Sequence, residues 1–438
     1  MKSAPGILFL LALSCRMMMA SPLYSANDSE SLDILEVREK SRNHNNSKAR
    51  YNLKTRENSK APEGSQTQES SKTQNSSQTR DNSKARDSSK TRDNSKTFIS
   101  EVNQFVSQHT EGQWFLGYQY GDLNRNRVNL FTLKRGYVTF KSHFSDRWSV
   151  RFTQDITLDQ EGIDRGNVEL RLKYCYVNYE TGDFWFFTDP ALEAGLVHRP
   201  WLDYEQSINP YRVQGTMFLE RAGLINSADF GLTFSALLGG KMSDRYQQQV
   251  NDEFPGRYGS LAIGIYNGGG YHALENNQSK NLEARLSLRP FPGSLPGLQF
   301  TYNMAWGKGN AAFAPDFSLH SGFVSYERQH LALTAQYYSA RGNSHGSYLT
   351  SRGMAAHNEG YSFFTEYEIP QTPWTLFARY DYFDCGNMDI SDSRRMIYGV
   401  GYYFYQQNKL VVDFDALDRG INGEWENQIL EVALDIQF

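Results

Sequence analysis

The chain has 438 residues, 39% of them hydrophobic and 14% aromatic, with 45 Lys+Arg against 49 Asp+Glu for a formal net charge of −4. Mean hydropathy is −0.62, and beyond the first residues no stretch approaches the ~18 apolar residues of a spanning helix, which excludes a helical membrane protein. Twenty-seven Tyr, 27 Phe and 35 Gly against 13 Pro lean toward strands and tight turns, and the charge balance gives no reason to expect nucleic acid as a partner.

The chain opens "MKSAPGILFLLALSCRMMMASPLYSA", with Lys2, a short apolar run from Ile7 to Leu13 and small residues at Ala20 and Ala26. This predicts a signal peptide over 1–20, cleaved as late as 26. Cys15 leaves with it, so Cys175 and Cys385 remain, too few to pin an exported domain by disulfides and expected as isolated packed thiols. A polar tail follows over 21–97, and residues 45–97 repeat every six: NNSKAR, YNLKTR, ENSKAP and so on to DNSKT. The hexads hold 12 Lys+Arg and 6 Asp+Glu, a net of +6, and almost no large apolar residue. Such a segment cannot offset the entropy of ordering, so disorder is expected. It reads as a solvated spacer, or as a tether to an anionic surface. Next, Phe98, Ile99, Val102, Phe105 and Val106 share one face of a short amphipathic helix over 98–110.

From residue 111 to 438 the pattern has period 2. "NVELRLKYCY" alternates Val168, Leu170 and Leu172 with Glu169, Arg171 and Lys173, and "NLEARLSLRPF" sets Leu282, Ala284, Leu286 and Leu288 against Glu283, Arg285, Ser287 and Arg289. Strands with one apolar and one polar face suit a soluble sandwich or a membrane barrel. Tyr and Trp gather near strand ends, as interfacial girdles do. Short connections such as "FSDR", "ETGD" and "QQN" alternate with long ones, as in outer-membrane barrels. The expectation is therefore an all-β transmembrane antiparallel barrel of about 16 strands, preceded by the disordered tail. One connection, 241–257, is long where a short turn is due, which means a missed strand or an insertion. The ending "LEVALDIQF" alternates Leu430, Val432, Leu434, Ile436 and Phe438. Phe438 is expected to be the assembly signal read by the barrel assembly machinery.

Several stretches carry a family resemblance: "RGYVTFKSHFSDRWSVRFTQDI" (135–156), "LEAGLVHRPW" (192–201), "FLERAGLINSADFGLTFSALLG" (218–239), "IGIYNGGG" (263–270) and "MIYGVGYYF" (396–404). In this order, across about 130–438, the chain resembles the phosphate-selective porins O and P of Gram-negative bacteria. The resemblance implies a homotrimeric 16-stranded barrel in outer-membrane lipid, a lumen whose Arg and Lys attract anions, and a loop folded inward as a constriction, for which 202–212 is the candidate. Alternation points Arg135, Lys141, Arg151, Arg171, Lys173, Arg285, Arg289 and Arg379 into the lumen as basic pore-lining candidates. Asp155, Glu169, Glu193, Glu283 and Asp381 are the acidic ones, with Asp413, Asp415, Glu431 and Asp435 on the same presumed face. Residues 98–438 hold 28 Lys+Arg against 38 Asp+Glu, a net of −10, so phosphate preference is not among the expectations.

No HExxH, CxxC or GxSxG occurs and the nine His residues are scattered, so neither metal nor cofactor is expected, and the chain is not read as an enzyme. The leading reading is an outer-membrane porin that passes small hydrophilic or anionic solutes, with its tail in the periplasm. A plugged structural or adhesin-type barrel and a secreted glycan-binding β-protein are the alternatives.

Overall fold

The computed structural model describes residues 105–159, 165–384, 386, 392–419 and 425–438. The expected signal peptide, hexad tail and most of the 98–110 helix lie outside these residues, as does Cys385; residues 105–109 are helical.

Sixteen antiparallel strands follow: β1 (Thr110–Leu123), β2 (Asn126–His143), β3 (Trp148–Leu158), β4 (Val168–Glu180), β5 (Phe187–His198), β6 (Ala228–Leu238), β7 (Gly259–Tyr266) and β8 (Asn281–Leu288). The second half comprises β9 (Leu298–Lys308), β10 (Asp316–Arg328), β11 (Leu331–Arg341), β12 (His357–Glu368), β13 (Trp374–Asp384), β14 (Ser393–Tyr405), β15 (Asn408–Asp418) and β16 (Trp425–Gln437). Each pairs with its chain neighbours, and β1 closes on β16. The expected barrel is therefore present, strand for strand.

Burial is inverted relative to a soluble protein. In β8 the inward Glu283, Arg285 and Ser287 are 2%, 1% and 0% exposed, whereas Leu282, Leu286 and Leu288 are 40%, 39% and 47% exposed. The same phase runs through β9, where Gln299, Thr301 and Asn303 are buried and Phe300, Tyr302 and Trp306 face out. In water so much exposed apolar surface would drive aggregation; around a closed barrel it is the face that lipid covers. Among the described residues no helix is long and apolar enough to cross a membrane. Cys175 departs from the expectation of a packed thiol: it is free and exposed.

Closure depends on the two ends. β1 and β16 pair from Gln113↔Gln437 to Asp122↔Gln428. Beyond the strand, the Gly112 amide donates to the Phe438 carbonyl (2.7 Å) and the Phe438 amide to the Gly112 carbonyl (3.0 Å). The Phe438 ring lies against Gly112, where any Cβ would collide with it.

Both ends lie on one rim, the side of the short turns. On the other rim the first connection is also short: Asn124 and Arg125, at φ 49° and 61°, form a two-residue hairpin turn matched to strand twist. The anomalous stretch 241–257 is an insertion and not a missed strand. It carries a short helix over Asp244–Gln249, whose Ser243 hydroxyl caps the Tyr246 amide (3.4 Å).

Candidate functional site

The segment between β5 and β6, residues 199–227, turns into the barrel. It holds two short helices, α1 (Leu202–Gln206) and α2 (Phe218–Arg221); the insertion helix is α3. Trp201, Leu202, Tyr204, Leu219 and Leu224 are fully buried and pack on Ala305, Phe317, Leu319, Phe323, Tyr338 and Ala340, all inward residues of β9, β10 and β11. Farther along, Tyr211 and Val213 pack on Phe115, Phe364, Phe377, Ile397, Val411 and Ala433. Tyr211 stacks on Phe377 with centroids 3.9 Å apart, and its hydroxyl donates to Glu366 (2.9 Å). The loop thus reaches from β5 across the lumen to β12–β16 and β1.

Polar contacts fix the loop as well. Arg199 pairs with Glu283 of β8, and the Trp201 indole N–H donates to Glu205 (2.7 Å). Burial pushes the Glu205 carboxyl up to about 7, although Arg379 opposes the shift. At the far end Lys134 donates to the Gln214 carbonyl (2.7 Å), and Arg221 reaches Asp381 (3.3 Å). Burial, with Arg379 and Arg395 nearby, brings Arg221 down to about 9.

On the turn side of this loop lies a vestibule of about 1300 Å³. Tyr137, Lys141, Arg151, Lys173 and Tyr174 line it from the β2–β4 wall, Asp203 and Asn209 from the loop, Gln247 to Phe254 from the insertion, and Lys409, Asp435 and Phe438 from the closing strands. Arg285 joins loop and insertion: its Nε donates to the Pro200 carbonyl (2.7 Å), and its guanidinium lies 4.3 Å from the Tyr204 ring centre and 5.0 Å from that of Phe254.

The predicted cations divide into two groups. Arg135 and Arg171 both reach the same Asp155 oxygen at 3.0 Å, and the Tyr271 hydroxyl donates to it as well (3.0 Å). Lys141 pairs with Glu111 (2.8 Å) and Arg379 with Asp381 (2.9 Å). Arg151, Lys173, Arg285 and Arg289 have no carboxylate within ion-pair distance among the described residues. Arg151 contacts His198 (3.0 Å) and lies 4.6 Å from the Tyr174 ring centre; the Lys173 ammonium is 4.4 Å from that of Tyr137. Every predicted acid, by contrast, has a cationic or imidazole partner: Asp155 and Asp381 as above, Glu169 with Arg171 (3.9 Å), Glu193 with His198 (2.9 Å), and Glu283 with Arg199. Of the further acids, Asp415 pairs with Arg395 (2.5 Å), Asp435 with Lys409 (3.5 Å) and Glu431 with Lys134, whereas both oxygens of the buried Asp413 lack a hydrogen-bond partner among the described residues.

Sequence reasoning missed His198, whose imidazole stands between Glu193 of the wall and Asp203 of α1 (3.2 Å). It also missed the apolar lumen residues. The signal was present in β10, "DFSLHSGFVSYER", where Phe317, Leu319 and Phe323 alternate with Ser318, His320 and Gly322: the apolar phase there faces inward, toward the loop.

No protein-family model matches the chain, and no curated protein matches it. Solved structures that align with it include a loop-deletion form of OmpT, an outer membrane protein of Vibrio cholerae, at 12% identity over 75% of this chain and 98% of that one, TM-score 0.49. OmpF of Salmonella typhi, in complex with daunomycin, aligns at 13% identity over 75% and 97%, TM-score 0.49. An anion-selective porin from Comamonas acidovorans aligns at 10% identity over 75% and 98%, TM-score 0.45. Likeness this loose leaves function to the residues of this chain.

Proposed function

We propose that the protein is an outer-membrane porin that lets small hydrophilic solutes diffuse passively, with a local preference for anions set by Arg151 and Lys173. The observation that carries the reading is a closed barrel, apolar outside, around a polar vestibule of about 1300 Å³. Within it those two cations rest on tyrosine faces and bond to neutral partners, without a carboxylate at ion-pair distance, which leaves their charge to attract a passing anion. The adjoining Arg135, Arg171 and Lys141 are neutralised by acids and stiffen the wall instead. A homotrimer, insertion through Phe438 and a periplasmic tail belong to the same proposal. No catalytic step is part of it.

Planar-bilayer recordings of the purified protein test the reading. Reversal potentials in a salt gradient should lie on the anion side and move toward cations in Arg151→Glu combined with Lys173→Glu. Channels indifferent to both substitutions would remove the role of these residues alone; the absence of channels would remove the porin. One observation favours a second reading, a barrel whose lumen is held shut: the loop packs tightly on both walls, through Trp201 and Leu219 on one side and Tyr211 and Val213 on the other.

A further inference from the structure

We propose that the lumen wall beneath the turn insertion holds a halide-sized anion between Arg289, Gln299, Ser325 and Tyr246. Arg289 follows β8 at the turn rim and is 0% exposed. Its Nε, Nη1 and Nη2 find no hydrogen-bond partner of good geometry among the described residues; the Tyr246 ring of α3 lies 4.6 Å from the guanidinium carbon, and the Tyr246 hydroxyl and the Glu327 carboxyl stand close enough to feel its charge. A buried guanidinium with all its donors idle is among the most costly groups a protein can enclose. Its surroundings repeat the deficit. Both ends of the Gln299 amide, the Ser325 hydroxyl and the Tyr246 hydroxyl are buried without a partner; Gln299 and Ser325 are 0% exposed and face each other across β9 and β10.

The donors outnumber the acceptors. The guanidinium, the Gln299 amide N–H groups and two hydroxyls all offer hydrogen, while the Gln299 carbonyl oxygen and the Glu327 carboxyl are the groups that only accept. One Glu327 oxygen accepts from Asn251 (3.0 Å), and the other has no partner. Burial and the Glu327 carboxylate push the Tyr246 hydroxyl up, so it remains a donor at any physiological pH. A monovalent anion the size of a water molecule satisfies this donor set and neutralises Arg289 at once. The insertion is then anchored by charge, since α3 supplies Tyr246 and the segment after it supplies Asn251. The site stands on the fold and does not depend on transport.

Crystals of the full chain soaked in sodium bromide test it by anomalous scattering. A bromide peak in contact with the Arg289 guanidinium and the Ser325 hydroxyl is the expected result; water alone there, or a direct Arg289–Glu327 ion pair, overturns it. In detergent solution, replacing gluconate by chloride at constant ionic strength should raise the thermal midpoint of the native protein. Arg289→Gln should lose that response, and so should Ser325→Ala, which keeps the charge and the fold. An equal chloride response in the native protein and both variants overturns the proposal.

Discussion

Asp155 organises more of the lumen than any neighbour on its strand. It is 0% exposed and takes Arg135, Arg171 and the Tyr271 hydroxyl on one oxygen, so a single carboxylate ties β2, β3, β4 and the loop after β7. Removing one partner of a buried cluster leaves uncompensated charge, at about 3–5 kcal/mol. Asp155→Asn should therefore lower the temperature at which the folded, fast-migrating form is lost in heat-modifiability gels; an unchanged transition would mean that the arginines find water instead. Phe438 acts differently. Its ring is 75% exposed, and what it contributes to the folded barrel is the backbone exchange with Gly112. Phe438→Asp retains that exchange, so a failure of this variant to reach the membrane, measured by fractionation, would place the role of the ring in assembly; Gly112→Leu, in which the Cβ meets the ring, should instead weaken closure after assembly.

Among the elements, the inward loop carries a group placed to respond to pH. Its Glu205 is 6% exposed and raised from an ordinary 4.5 to about 7. A carboxyl raised on docking binds its proton more tightly in the docked loop, so docking is strongest below pH 4.5 and weakens as pH rises through about 7. A carboxyl raised that far on docking contributes about 3 kcal/mol to the docked loop at low pH. Protection factors across 199–227, with the intrinsic pH dependence of amide exchange divided out, should accordingly be higher at pH 5 than at pH 8, and Glu205→Gln should flatten the difference. A native loop equally protected at both values would show that Arg379 already compensates the charge. The strands were legible because one rule, apolar out and polar in, held along most of their length. The loop was legible only in outline. Residues 202–212 stood out as a candidate constriction, but Trp201, Tyr211 and Val213 find their partners on β9–β16 and β1, and contacts that distant leave no local period. The insertion at 241–257 was visible as a length and not as a helix, because six residues, "DRYQQQ", are too few to show an amphipathic face.

At the scale of the molecule, barrel geometry separates what the chain needs in order to fold from what it carries besides. Closure uses Thr110 to Gln437, and every strand finds both its neighbours within that span. The hexads over 45–97, with almost no large apolar residue and a net charge of +6, have little surface to bury. Two outcomes of deleting residues 45–97 can be told apart. Folding should be unaffected, read as native heat-modifiable migration. If the tail is a spacer only, bilayer conductance and its salt dependence should also match the full chain. A conductance that rises on deletion, most at low salt where screening is weakest, would instead mean that the hexads reach the vestibule and obstruct it. The expected result is the first, because Arg151 and Lys173 line the vestibule without a carboxylate partner and their charge repels a basic segment.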